Sequence, residues 1–344
     1  MRILIATDAW PPQTNGVVTT LSWLDRELGQ LGVSPVFLTP QYFRQVPCPG
    51  YTELALAVPD RTTVERFFTS SAPNFVHIVT EGPIGWAVRR HCLKHGRPFT
   101  TSYHTKFPEY ANRILGLPER WVYALERRFH APSAGIMVAT ASLEVELHHH
   151  GFSKLMRWSR GVDCSAFRPD AERRSNGRPV FLYVGRISRE KNIEAFLDAE
   201  LPGDKLVVGD GPHLGSLRKR YRGVTFTGRK VGAALAALYA SADVFVFPSR
   251  TDTFGLMLLE ALASGLPVAA YPVTGPADIV ENGVSGILAD DLAEAGVRAL
   301  TLDRHAARAR AEQFSWQQAA RQFLDNVVTA SRPRSFDPET DRGR

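Results

Sequence analysis

Residues 180–192 read VFLYVGRISREKN, and this stretch decides the fold. Val180–Val184 is a short apolar run of β-branched and aromatic residues, the mark of a strand buried on both faces. Gly185 ends it, and a polar loop leads on to a helical pattern. The same unit opens the chain. Arg2–Thr7 (RILIAT) is an apolar run and AWPPQTNG is a turn-rich loop. Val17, Val18, Leu21, Leu24, Leu28 and Leu31 then recur at helical spacing. A strand–loop–helix unit therefore begins at residue 2 and begins again at residue 180.

Working outward, the first run continues with strands over Val36–Leu38, Phe75–Val79, Phe99–Thr101 and Gly135–Ala139. The second continues with Leu206–Val208, Val224–Thr227, Val244–Phe247 and Val268–Ala270. Helical patterns lie between them. Strands alternating with helices imply parallel α/β sheets, and two such runs imply two doubly wound, Rossmann-like domains. The expected division is 1–165 and 175–312, with the boundary in the polar segment RGVDCSAFRPDAERRSNGRP. A helix over Phe314–Val328, within 313–330, is expected to pack back toward the first domain. The polar tail 331–344 reads as disordered. In open α/β sheets ligands bind beyond the carboxyl ends of the strands, so two such domains place a site in the cleft between them.

Composition narrows the class. The chain has 344 residues, 44% hydrophobic and 22% charged, enough for packed cores in two domains. The most apolar stretch, Phe254–Val273, is interrupted by Glu260, Ser264, Gly265 and Pro267. It reads as helix, turn and strand rather than a membrane span. No secretory leader is evident. Cys48, Cys92 and Cys164 form no CxxC pair, which fits a reduced cytoplasmic protein without a zinc site. The charge is uneven: residues 1–160 carry 17 Lys+Arg against 12 Asp+Glu, and 161–344 carry 24 against 23. Arg89, Arg90, Lys94, Arg97 and Lys106 fall between Gly82 and Pro108 with no acid. If WAVRRHCLKHGR is helical, Arg90, Lys94 and Arg97 share one face. That face suits anionic lipid, or is simply solvated. Trp121, Val122, Leu125 and Phe129 form an apolar stripe on a later helix, beside Arg128.

Several motifs carry chemistry. Asn15-Gly16 follows the first strand and precedes a helix; Gly16 would admit a phosphate or sugar close to the backbone, although NG is also a common turn. In VGRISREKN, Gly185 ends a strand and Arg186 and Lys191 offer positive charge to a diphosphate. Gly209–Pro212 (GDGP) sits at another strand end but is no GxGxxG, which counts against a dehydrogenase. The longest motif is SRTDTFGLMLLEALASGLPV, residues 249–268. There Asp252 lies in a loop, Thr253, Phe254, Gly255 and Leu256 lead into a helix, and Glu260 lies on it. A helix N-terminus can face phosphate, and two carboxylates can accept from sugar and ribose hydroxyls. His148–His150 do not share one helix face, and the chain has no DxD triplet.

Together, TDAWPPQTNGVV, SYHT, VGRISREKN, GDGP, FTGR, SRTDTFGLMLLEALASGLPV and the closing FSW resemble the retaining glycosyltransferases of family 4, with the GT-B fold. The likeness spans nearly the whole chain. It implies that Gly16 lies beside the donor diphosphate and that His104 positions the donor sugar, although a His at a strand end is as often an ordinary residue. It implies that Arg186 and Lys191 bind the diphosphate, that Gly228 and Arg229 lie near the base, and that Glu260 binds the ribose. Asp252 stands where the family's first Glu of an E-x7-E pair is usual, so the carboxylate is one methylene shorter and the sugar is open. Neither a cofactor nor a metal is implied; the donor is a UDP- or GDP-sugar. TDTFG with AYPVTGPADIV resembles the branch that glycosylates membrane lipids such as diacylglycerol. That implies a lipid acceptor, a hexose-type donor sugar, and a peripheral enzyme on the inner face of the cell membrane, with no nucleic acid partner. A polysaccharide or soluble acceptor, a same-fold epimerase, and a sugar-nucleotide-binding protein without activity are the alternatives.

Overall fold

In a computed structural model, which describes residues 1–48, 51–170 and 177–331, the two runs become two separate parallel sheets. The expected tail beyond Ser331 and residues 171–176 of the boundary segment lie outside the described residues. Fourteen strands occur among the described residues: β1 (Arg2–Ala6), β2 (Ser34–Leu38), β3 (Arg44–Cys48), β4 (Tyr51–Val58), β5 (Phe75–Ile78), β6 (Thr100–Ser102), β7 (Gly135–Val138), β8 (Leu155–Arg157), β9 (Val180–Val184), β10 (Asp204–Val208), β11 (Thr225–Gly228), β12 (Val244–Phe247), β13 (Val268–Ala270) and β14 (Gly286–Leu288). The first sheet runs β2-β1-β5-β6-β7-β8 and the second β11-β10-β9-β12-β13-β14. Every pairing in both is parallel. This is the α/β architecture of two Rossmann-like units, and the second has the Rossmann strand order itself.

Apolar residues on both faces of each sheet build the cores. Leu4, Ala6, Ile78 and Val88 lie in a cluster on one side of the first sheet, and Ile3, Ile5, Leu21 and Leu28 on the other. The second sheet is covered in the same way by clusters around Phe245 with Leu262, and Phe181 with Ala295. The last helix, Trp316–Ala330, is N-capped by Ser315 and lies on the first sheet, not the second. Trp158 Nε1 donates to the Ala319 carbonyl at 3.2 Å, Trp316 stacks on Trp23 at 5.8 Å, and Phe323 is fully buried. Gly161 lets this crossing happen, since a Cβ there would sit 2.2 Å from Trp316 N. No helix among the described residues is long and apolar enough to cross a membrane.

Three readings change. The antiparallel pair β3–β4 was not anticipated, because Pro47 lies within RQVPC and a proline argues against a strand. Strands β8 and β14 have three residues each and sit at sheet edges, too short for a period-two signal. The apolar stripe on Glu119–His130 divides: Phe129 is 1% exposed, whereas Trp121 is 61% and Leu125 56% exposed. The inner face of that helix is Tyr123, Glu126, Phe129 and His130, so polar side chains share the buried face while two apolar ones point outward.

The basic face also comes apart. The helix Pro83–Lys94 stops before Arg97, and Gly96 turns the chain with φ +60°. Arg97 Nη1 donates to the Pro73 carbonyl at 2.9 Å and its guanidinium lies over Phe68. Arg89 donates to the carbonyls of Arg128 and Phe129 at 2.7 and 2.8 Å, capping the neighbouring helix. Arg90 and Lys94 stay exposed, as does the Arg128 side chain.

Candidate active site

In each sheet the strand order reverses at one point, and the loops there part to leave a crevice. In the first sheet these loops follow β1 and β5; in the second they follow β9 and β12. The two crevices face each other. An added Cβ at Gly16 would lie 3.7 Å from Leu256, Thr253 Oγ1 donates to the His104 carbonyl at 2.7 Å, and Thr140 Oγ1 donates to the Thr253 carbonyl at 3.4 Å.

On the second side, Lys191 and Asp252 meet although 61 residues separate them: Nζ lies 2.5 Å from Oδ1. Asp252 Oδ2 is buried and has no partner. Asn192 Nδ2 donates to the Pro248 carbonyl and ties the two loops together. Gly255, at φ +90°, turns the chain into the helix Leu256–Ala263, while Phe254 is buried in the core. Glu260, on that helix, accepts from Tyr239 Oη at 2.9 Å. Burial pushes its carboxyl up to about 7, against the lowering effect of that hydrogen bond. Arg186 is half-buried at the start of the β9 loop, where its carbonyl accepts from Tyr183 Oη. Gly209 packs directly on Gly185; a Cβ there would lie 1.9 Å from the Gly185 carbonyl oxygen, so packing alone requires this glycine. Gly228 ends β11, the edge strand, and Arg229 follows it and is exposed.

Residues 14–166 match the family described as Glycosyltransferase Family 4, and residues 178–302 match Glycosyl transferases group 1. A GDP-mannose-dependent alpha-mannosyltransferase of Mycolicibacterium smegmatis is 31% identical over 319 residues, covering 84% of each chain. The chain belongs to the family 4 glycosyltransferases. An alpha-monoglucosyldiacylglycerol synthase of Streptococcus pneumoniae is 28% identical over 79% of this chain and 71% of its own. Among solved structures, sucrose-phosphate synthase of Thermosynechococcus elongatus superposes with a TM-score of 0.80 at 21% identity, over 96% of this glycosyltransferase and all of that chain. This likeness shows the shared GT-B fold.

The first half of the glycosyltransferase holds the residues that sequence reasoning passed over. Asp8 follows β1, and its carboxylate accepts from Thr80 Oγ1 and from the backbone N–H groups of Ile84 and Gly85, at the start of the helix Pro83–Lys94. His104 is half-buried, and Arg160 Nη2 lies 3.2 Å from its Nδ1. Its Nε2 is buried without a partner. Behind it, Glu81 pairs with His130 at 3.1 Å and Tyr103 Oη donates to Glu126. Burial, and then the nearby Glu81, push Glu126 up to about 9, so it is a neutral acid at pH 7. Asp8 lies inside the quoted TDAW motif. Arg160 lies in a segment that reads only as a linker. Three metal-capable side chains also converge: Glu65, His91 and His95 have ligating atoms within 4.8 Å of one another. They lie toward the opposite end of the helix Pro83–Lys94 from Asp8, and Glu65 is already ion-paired with Arg61 at 2.6 Å.

Proposed function

We propose that this glycosyltransferase moves a hexose, with retention of configuration, from a UDP- or GDP-sugar to a hydroxyl of a membrane lipid such as diacylglycerol. The observation that carries the donor reading is that Asp252 Oδ2 and His104 Nε2, from opposite halves that meet at Thr253 and His104, are both buried and unpartnered. Buried polar groups are almost always satisfied, and these two, among eight such atoms of the described residues, belong to segments that meet where Thr253 Oγ1 donates to the His104 carbonyl, which suits a polar ligand between the halves.

The roles follow from charge. Arg186 and Lys191 bind the diphosphate. Lys191 is paired with Asp252; a diphosphate would compete for its ammonium, and the carboxylate could then accept from sugar hydroxyls. Glu260 accepts from the ribose, Gly228 and Arg229 flank the base, and Gly16 leaves room for the sugar beside Leu256. The bond from C1 to the phosphate oxygen breaks, and the bond from the acceptor oxygen to C1 forms on the same face. The acceptor proton passes to the leaving phosphate oxygen, so no protein base is assigned. Negative charge grows on that phosphate, and Arg186, Lys191 and the N–H groups opening the helix Leu256–Ala263 stabilise it where it develops. Since protein cations do this work, chelation of divalent ions should leave the rate unchanged.

The acceptor reading rests on the first half. Trp121 and Leu125 project from the helix Glu119–His130, and Phe107 and Leu117 are exposed nearby in sequence. With the exposed Arg90, Lys94 and Arg128, they suit a peripheral surface on an anionic inner leaflet. The names of the relatives agree: one uses GDP-mannose and another makes a diacylglycerol glycoside. A panel of UDP- and GDP-sugars offered with lipid extract, and labelled product resolved by thin-layer chromatography, tests both parts. A labelled lipid is the expected result. Transfer only to water-soluble acceptors removes the lipid, and no transfer from any nucleotide sugar removes the donor reading.

A further inference from the structure

We propose that Arg160 is the positioning residue that sets which nitrogen of His104 carries the proton, and so makes His104 a fixed hydrogen-bond donor toward the sugar. The inference rests on the reading of His104 as sugar-facing.

The two residues are 56 positions apart, one after β6 and one after β8, and Arg160 Nη2 lies 3.2 Å from His104 Nδ1. A guanidinium has five donors and no acceptor. Nδ1 must therefore accept, and a neutral imidazole with a bare Nδ1 carries its hydrogen on Nε2. That Nε2 is the buried atom without a partner. The loop that holds it is pinned to the other half of the molecule, because the His104 carbonyl accepts from Thr253 Oγ1. An oriented, unsatisfied donor at the contact between the halves fits an oxygen of a bound sugar.

Arg160 is itself held still. Nη1 donates to the carbonyls of Trp158 at 2.5 Å and Ser159 at 2.9 Å, and the guanidinium lies 4.1 Å over the Trp158 ring. Ser159 N is anchored to Gln322 on the last helix. Among the described residues no carboxylate pairs with Arg160, and burial brings it down to about 9, still charged at pH 7. Arg160 and the Trp158 ring contact His104, and the charges that act on it are those of Arg160, His77 and His130. Burial first, and then Arg160, His77 and His130, hold its imidazole well below the ordinary histidine range. The ring therefore stays neutral at physiological pH and donates a hydrogen bond without acting as an acid.

The test uses histidine labelled with nitrogen-15 in the full chain, with long-range proton–nitrogen correlation of the imidazole rings. In the wild type, His104 should show a protonated Nε2 and a bare Nδ1 from about pH 6 to pH 9. Arg160→Met removes the donors and should give mixed tautomers, with the donor KM raised about tenfold and kcat changed less. Arg160→Lys keeps a donor and should restore both the tautomer and the KM. A protonated Nδ1 in the wild type overturns the proposal without any variant. So does an unchanged tautomer or an unchanged KM in Arg160→Met, and so does a lysine variant that behaves like methionine. His104→Ala separates the two layers: an unaltered donor KM there removes the sugar-facing role, while the tautomer result still tests the Arg160 pairing.

Discussion

Asp8 and Asp252 each lie in a loop where the strand order of a sheet reverses, Asp8 after β1 in the first and Asp252 after β12 in the second. Asp8 is used up inside its own half. Oδ1 accepts from Ile84 N at 2.9 Å, and Oδ2 accepts from Thr80 Oγ1 at 2.8 Å and Gly85 N at 3.4 Å. A Cβ at Gly82 would lie only 2.4 Å from its Cγ, so the carboxylate packs directly on the backbone that opens the helix. Asp252 meets one cation through Oδ1 and leaves Oδ2 buried and bare. The same residue type beside the strand-order reversal of each sheet thus serves structure in one half and is left available in the other. What distinguishes them is the account of hydrogen bonds, not the sequence motif.

Substitutions can break this contrast. The largest effect should come from Lys191→Met, with kcat/KM reduced about a thousandfold in a product assay, because the charge opposite the leaving phosphate is lost. That variant should also melt earlier, since Asp252 keeps a part-buried charge without its partner. Adding Asp252→Asn should restore the melting temperature but not the activity. Recovery of activity in the double variant would mean that the pair is structural, like Asp8.

Asp8→Ala should do the reverse. A helix cap and three hydrogen bonds to a carboxylate are removed, so denaturant unfolding should show a loss of about 2–3 kcal/mol. Turnover per folded molecule should stay within a few-fold. A collapse of turnover in protein shown to be folded would make Asp8 part of the site.

Glu260 lies between these extremes. Its folded value of about 7 stands above its ordinary 4.5. In the proposed role the ionised form accepts from ribose, so donor affinity should fall roughly tenfold as pH drops from about 8 to 6. Stability runs the other way: a raised carboxyl favours the fold at low pH, and that contribution is lost as pH rises through about 7. Glu260→Gln should therefore weaken donor binding, flatten its pH dependence, and raise the melting temperature more at pH 8 than at pH 5. Calorimetry and thermal melts at both pH values check this.

The smallest effects belong to the exposed face of the first half. Trp121→Ser with Leu125→Ser should lower binding to anionic vesicles about tenfold in a flotation assay. Lys94→Gln should lower it by about fivefold, roughly 1 kcal/mol for a cation near the surface. Arg97→Gln should change it less, because Arg97 is folded onto Phe68 and Pro73.

The chain's own order of residues determined that two parallel α/β units exist, where β9, β12 and β13 begin and end, and that the loops after β1, β9 and β12 are the candidates for the site. These are local properties: a buried strand is a short apolar run, and a strand-to-helix turn needs glycine and polar residues nearby in sequence. Even Lys191 and Asp252 could be named from their loops, though not as a pair. Tertiary structure alone decided the partners. It turned Glu126 and His130 inward and Trp121 outward on one helix, folded Arg89 and Arg97 into hydrogen bonds, and assigned Asp8 to a helix N-terminus 76 residues away. It brought Arg160 to His104 across the first sheet. Which polar atom is satisfied and which is left over depends on groups distant in sequence, as the contrast between Asp8 and Asp252 shows.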